Sequence, residues 1–191
     1  MSTTVPEDPP KLVAAPGMTL REVVAASTAA LSTYEKEGTG LAQPAAGPHR
    51  LVLRASGRDL ELPAGLFSLL QTSGPLVYRL RVTPHIDHLE HDGALAFADE
   101  LIQTLLGAEW KGAGHVDAKA FADALVDGDR FSAGPWRLRT WAAELEIRRI
   151  VRGGTELAEI LELPGDGFLV TLMIWDEHLA VAAGELPRGA H

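Results

Sequence analysis

Six residues within eight positions, His85, Asp87, His88, Glu90, His91 and Asp92, form the one dense group of ligand-type side chains in this sequence. Imidazole and carboxylate groups suit zinc, iron or nickel. In a helix, His85, His88 and His91 fall within an arc of about 120°, because three-residue steps drift at 3.6 residues per turn. In an extended chain, His85, Asp87 and His91 share one face and His88 leaves it. Either geometry accepts a metal, so the spacing specifies neither, and no H-E-x-x-H pattern is present. The opposing reading is a polar connection whose histidines diverge, at least one toward solvent. That divergence is the expectation here, with a metal centre on His85, His88 and His91 as the alternative.

Other catalytic chemistry finds little support. There is no cysteine, hence no thiolate nucleophile and no disulfide. No G-x-S-x-G elbow occurs. Gly112-Ala113-Gly114 lacks the lysine-serine follow-on and the preceding strand of a phosphate loop. A non-catalytic protein without a cofactor is therefore expected.

Charge is distributed unevenly. The net charge of -9 argues against a general affinity for nucleic acid, where phosphate neutralisation dominates binding. Between His85 and Asp129 ten acids stand against two lysines, whereas from Arg130 to Arg152 six arginines face two glutamates. Arg79 and Arg81 alternate with core-type residues, and Arg137 and Arg139 flank Leu138. If their strands share a sheet, these arginines project from the face opposite the core, with Glu144 and Glu146 as the nearest interleaving acids. Trp136 opens the W-R-L-R run and Trp110 lies in a glycine-rich loop; tryptophan beside arginine is favoured where a desolvated contact must contribute strongly. Arg79, Arg81, Trp136, Arg137, Arg139 and Trp110 are thus the candidate partner-binding residues, and the expected partner is a protein with an acidic surface. Trp141 and Trp175 are expected in the core. A carrier of a small ligand is a further alternative, should the sheet curl around an apolar pocket.

The elements that must position these groups read as one α+β domain over residues 18–186, an antiparallel sheet of six or seven strands with helices mainly on one face. Residues 1–17, with four prolines, read as a flexible tail, and 187–191 as a frayed end. The centre of the sheet is expected at a hairpin, Glu156–Leu163 and Phe168–Trp175, whose second arm is apolar on both faces. A T-x-x-E capping box at Thr19 and Glu22 starts a first helix that the periodicity carries to Gly38. His49–Ala55 and Arg58–Leu62 read as a hairpin, Ala64–Gln71 as a short helix and Leu76–Val82 as a strand. Asp92 and Asp117 each precede a helix, with Val116 and Phe121 at staple spacing. Trp136–Val151 reads as one long strand with a bulge near Thr140, and His178–Ala183 as an edge strand. No apolar run approaches the ~20 residues that cross a bilayer, and the N-terminus has no basic start with an apolar block. The compartment expected is the cytoplasm.

Overall fold

The structure, a computed structural model, describes residues 8–36, 38–45, 47–55, 58–127, 130–150 and 167–186. Its elements in chain order are β1 (Lys11–Ala14), α1 (Leu20–Ala26), β2 (Leu31–Lys36), β3 (Thr39–Pro44), β4 (His49–Ala55), β5 (Arg58–Gly65), β6 (Phe67–Ser73) and β7 (Leu76–Thr83). There follow α2 (His91–Gly107), α3 (Ala118–Asp127), β8 (Arg130–Leu138), β9 (Trp141–Ile150), β10 (Gly167–Asp176) and α4 (Glu177–Ala182). Seven strands make one antiparallel sheet in the order β2-β3-β6-β7-β10-β9-β8, and β1-β4-β5 make a smaller sheet. The α+β class, the antiparallel sheet and helices packed against it are as the sequence implies.

β10 is the strand that unites the large sheet. Its residues Leu172 to Trp175 pair with β7, and Gly167 to Asp176 pair with β9. Both of its edges are taken, and Val170, Leu172 and Ile174 are fully buried. The apolar character on both faces thus marks a central strand, but its neighbours are β7 and β9. The expected first arm, Glu156–Leu163, lies outside the described residues.

One core joins the two sheets and the helices. Leu12, Leu51, Leu53 and Leu62 from the small sheet, Val23 from α1, and Ala94, Ala98, Leu101, Ile102 and Leu105 from α2 share a cluster with Leu70, Leu80, Leu145 and Leu172. The chain crosses from the small sheet to the large one at Gly65, where a Cβ would lie 2.0 Å from the Thr83 carbonyl oxygen. No side chain fits so close an approach of two backbones.

Several local expectations are corrected. The capping box at Thr19 and Glu22 is present, but α1 ends at Ala26. The Ser27 hydroxyl donates to the Val23 carbonyl at 2.7 Å and accepts from the Val13 amide at 2.9 Å. This side-chain competition with the backbone draws the chain out of the helix, and Leu31–Lys36 forms a strand instead. Lys11–Ala14 is no tail: it pairs in parallel with β4 and buries Leu12, Val13 and Ala14. Ala64–Gln71 is not helical; Ser68, Leu70 and Thr72 turn inward in strict alternation, the period of a strand. Pro63 is tolerated in β5 because that strand is an edge of its sheet.

α2 begins at His91 with Glu90 as its cap residue, two residues earlier than the Asp92 cap implies. Asp117 does cap α3, accepting from the amides of Lys119 and Ala120 at 3.0 Å. The long strand at 136–151 is two strands joined at Arg139 and Thr140, with Arg139 at φ 55°. The change of parity that suggested a bulge is therefore a hairpin turn, while the irregularity lies at Gly134–Pro135, between Ala133 and Trp136. The C-terminal segment is helix α4, capped by Asp176 accepting from His178 and Leu179 amides.

Candidate functional site

The face of each residue in the large sheet follows from its cross-strand partners, since directly opposed residues point the same way. Arg79 lies opposite Trp175, which lies opposite Ala142, which lies opposite Arg137. Arg81 lies opposite Met173 and through it Glu144. Leu169 lies opposite Arg148, and Arg148 opposite Arg130. Five arginines, at 79, 81, 130, 137 and 148, therefore share the face turned away from the main core. The sequence placed three of them there; Arg130 and Arg148 were missed. Arg148 was available by parity with Glu146, but the start of β8 at Arg130 was not marked by apolar alternation.

At the middle of this group sits Glu146, 3% exposed. Its Oε1 is 3.1 Å from Arg81 Nη2 and 3.4 Å from Arg148 Nη2, and its Oε2 is 2.7 Å from Arg130 Nε. Arg130 and Arg148 are directly opposed like charges, an arrangement that destabilises a sheet unless an acid intervenes. Glu146 intervenes, as its parity suggested. Burial pulls the Arg81 guanidinium below the ordinary arginine value; Glu146 opposes this, while Arg148, Arg130 and Arg79 add to it. Among the described residues, Arg81 Nε is buried without a hydrogen-bond partner.

The other arginines have looser company. Arg79 lies over the Trp175 ring at 5.9 Å and reaches Glu185 at 3.9 Å. Arg137 pairs with Glu177 at the start of α4. The side chains of Arg79, Arg81 and Arg148 keep about a third of their surface exposed (32%, 33% and 29%), and those of Arg130 and Arg137 about half (53% and 54%). Arg139 occupies the exposed turn and is not drawn into the group.

The tryptophan assignments change. Trp136 is fully buried on the core side, its Nε1 donating to the Ala113 carbonyl at 2.7 Å. Trp110 is buried too, 6.4 Å from the Trp141 ring. Neither reaches the surface; in β8 the parity that sends Arg137 outward sends Trp136 inward. Trp175, expected in the core, is the tryptophan that borders the arginines.

The three histidine rings have different partners. His85 donates from Nδ1 to the Asp87 carbonyl at 2.6 Å and accepts at Nε2 from the Val170 amide at 3.0 Å. Both ring nitrogens are thereby used by the protein itself, and burial lowers the pKa, favouring the neutral ring. His88 packs against Gly167, where a Cβ would lie 2.3 Å from the ring. His91 is half-exposed, with Nδ1 2.9 Å from Asp92 and its ring against Phe121 and Phe168. Among the described residues no three His, Asp or Glu side chains are grouped to hold a metal ion, and no helix is long and apolar enough to cross a membrane.

Comparison with known protein families, with curated proteins and with solved structures gives no match.

Proposed function

We propose that this protein is a non-catalytic, cytoplasmic binding module of the adaptor, secretion-chaperone or toxin-neutralising kind, which docks an acidic protein through the arginine-bearing face of its large sheet. The observation that carries the reading is the gathering of Arg79, Arg81, Arg130, Arg137 and Arg148 on one sheet face with a third to a half of each side chain exposed. In a chain of net charge -9 this is a positive island. Exposed ion pairs contribute only about 0–1 kcal/mol each, so stability is a weak reason to add Arg79 and Arg137 to the three arginines that Glu146 holds. An acidic partner gains from them in encounter rate and orientation. Among the described residues Glu144, Glu146, Glu177 and Glu185 temper the charge on this face without cancelling it around Glu146, where three guanidiniums meet one carboxylate.

The test is charge reversal at the two arginines outside the Glu146 cluster, Arg79→Glu with Arg137→Glu. Crosslinking and affinity purification from the native cell should recover a stoichiometric partner with the unaltered chain and lose it with the double variant, at an unchanged melting temperature. A partner retained by the double variant would sink the reading.

A further inference from the structure

Glu146 holds three guanidiniums but can satisfy only part of their hydrogen-bonding capacity. A guanidinium carries five N–H donors in a planar fork. Here one Nη2 of Arg81, one Nη2 of Arg148 and the Nε of Arg130 reach the two carboxylate oxygens. Among the described residues the cluster has three positive charges and one negative, leaving +2 at one spot of the sheet. Arg130 and Arg148, directly opposed in register, still present 53% and 29% of their side-chain surface. Their mutual repulsion has already been overcome in folding, so an incoming anion need not gather them. Such pre-organisation is what makes a weak contact into a strong one.

We propose that Arg81, Arg130 and Arg148, gathered by Glu146, form a receptor for a single carboxylate of an acidic peptide segment in the partner. This rests on the reading that the partner docks on this face. The forks of Arg130 and Arg148 match a carboxylate in bidentate fashion. Glu146 tells against a phosphate dianion, whose second charge and further oxygens would crowd a fixed carboxylate. Glu146 itself is a positioning residue: it touches no ligand and acts by holding the three guanidiniums together.

The experiment is titration of a fluorescein-labelled hexaglutamate peptide into the full chain at low salt, followed by anisotropy, with inorganic phosphate as competitor. Arg130→Lys with Arg148→Lys keeps the charge but removes the forks, and should weaken peptide binding by about tenfold or more. Glu146→Gln removes the negative charge of the cluster yet should also weaken binding, since the guanidiniums lose their organiser. Tighter binding by Glu146→Gln, or unchanged binding by the lysine pair, overturns the proposal, as does phosphate displacing the peptide at equal concentration. Should Glu146→Gln fail to fold by circular dichroism, the lysine pair decides. Loss of peptide binding in Arg79→Glu/Arg137→Glu but not in the lysine pair leaves the docking face standing and removes the anchor; no binding by the unaltered chain removes both.

Discussion

The Val170 amide donates to Nε2 of His85 at 3.0 Å, tying the connection between β7 and α2 to the central strand. The bond requires an unprotonated Nε2, while Nδ1–H is committed to the Asp87 carbonyl. A second histidine, His49 on β4, is buried with Nε2 2.7 Å from the Ser68 hydroxyl on β6, so it links the two sheets. Burial lowers its pKa as well, with the Gly47 carbonyl opposing.

Acid should therefore weaken the fold. Both histidines have folded pKa values below the unfolded value of 6.5, so the unfolded chain binds protons first as pH drops. Stability is complete above about pH 6.5 and falls below it, by up to about 1.4 kcal/mol per pH unit for each histidine, until the folded value is reached. Urea midpoints between pH 7.5 and 5 measure this. His85→Gln should lower the midpoint at pH 7.5 and make the acid slope shallower; an unchanged slope would show that His85 is not responsible.

Leu172 is fully buried on a strand paired along both edges. Leu172→Ala should cost about 2–5 kcal/mol in denaturant melts. A loss below about 1 kcal/mol would mean the site collapses around the missing methyl groups.

Removal of residues 1–15 should abolish cooperative unfolding or depress it severely, because Leu12, Val13 and Ala14 enter the core and β4 loses a neighbour. Burying one Leu side chain is worth about 1.5–3 kcal/mol, a large fraction of ordinary domain stability. A truncated chain melting within a degree or two of the full one would contradict the role of β1.

Glu146→Gln should destabilise the fold by about 1.5–3 kcal/mol, the range for a hydrogen bond to a charged group. Solvent at the arginine ends sets it at the lower part of that range. Added salt should narrow the gap between variant and parent by screening the three guanidiniums. A gap that widens with salt would show that repulsion is not the cause.

Much of this molecule is legible in its residues, and the losses have physical causes. Alternation at Leu76–Val82 and the two apolar faces of Phe168–Trp175 identify central strands, since only a strand covered on each side carries both. The face of α2 is readable residue by residue from Ala94 to Leu105. Leu31–Lys36 is misread because an alanine-rich run with apolar residues at three- and four-residue steps imitates a helix, while the bond that stops α1 at Ser27 is made to β1, far away in sequence. Lys11–Ala14 is too short for periodicity to register, and its parallel pairing with β4 leaves no turn beside it. At the site, parity correctly sends Arg79, Arg81 and Arg137 outward and places Glu144 and Glu146 on their face, without telling which of the two acids gathers the arginines. The same parity sends Trp136 inward, so a sequence-adjacent tryptophan and arginine could never have formed one surface.

The position of β10 has a consequence for synthesis. β7 leaves the ribosome well before β10, and β9 follows with its inner edge equally without the strand that pairs there in the native sheet. Until residues 167–176 emerge, two half-sheets wait with open edges that would pair with any extended chain nearby. The strand that arrives last closes both at once, so the large sheet is completed in a single late step. Folding speed and yield in the cell should then depend more on residues 167–176 than on any other described strand of the large sheet.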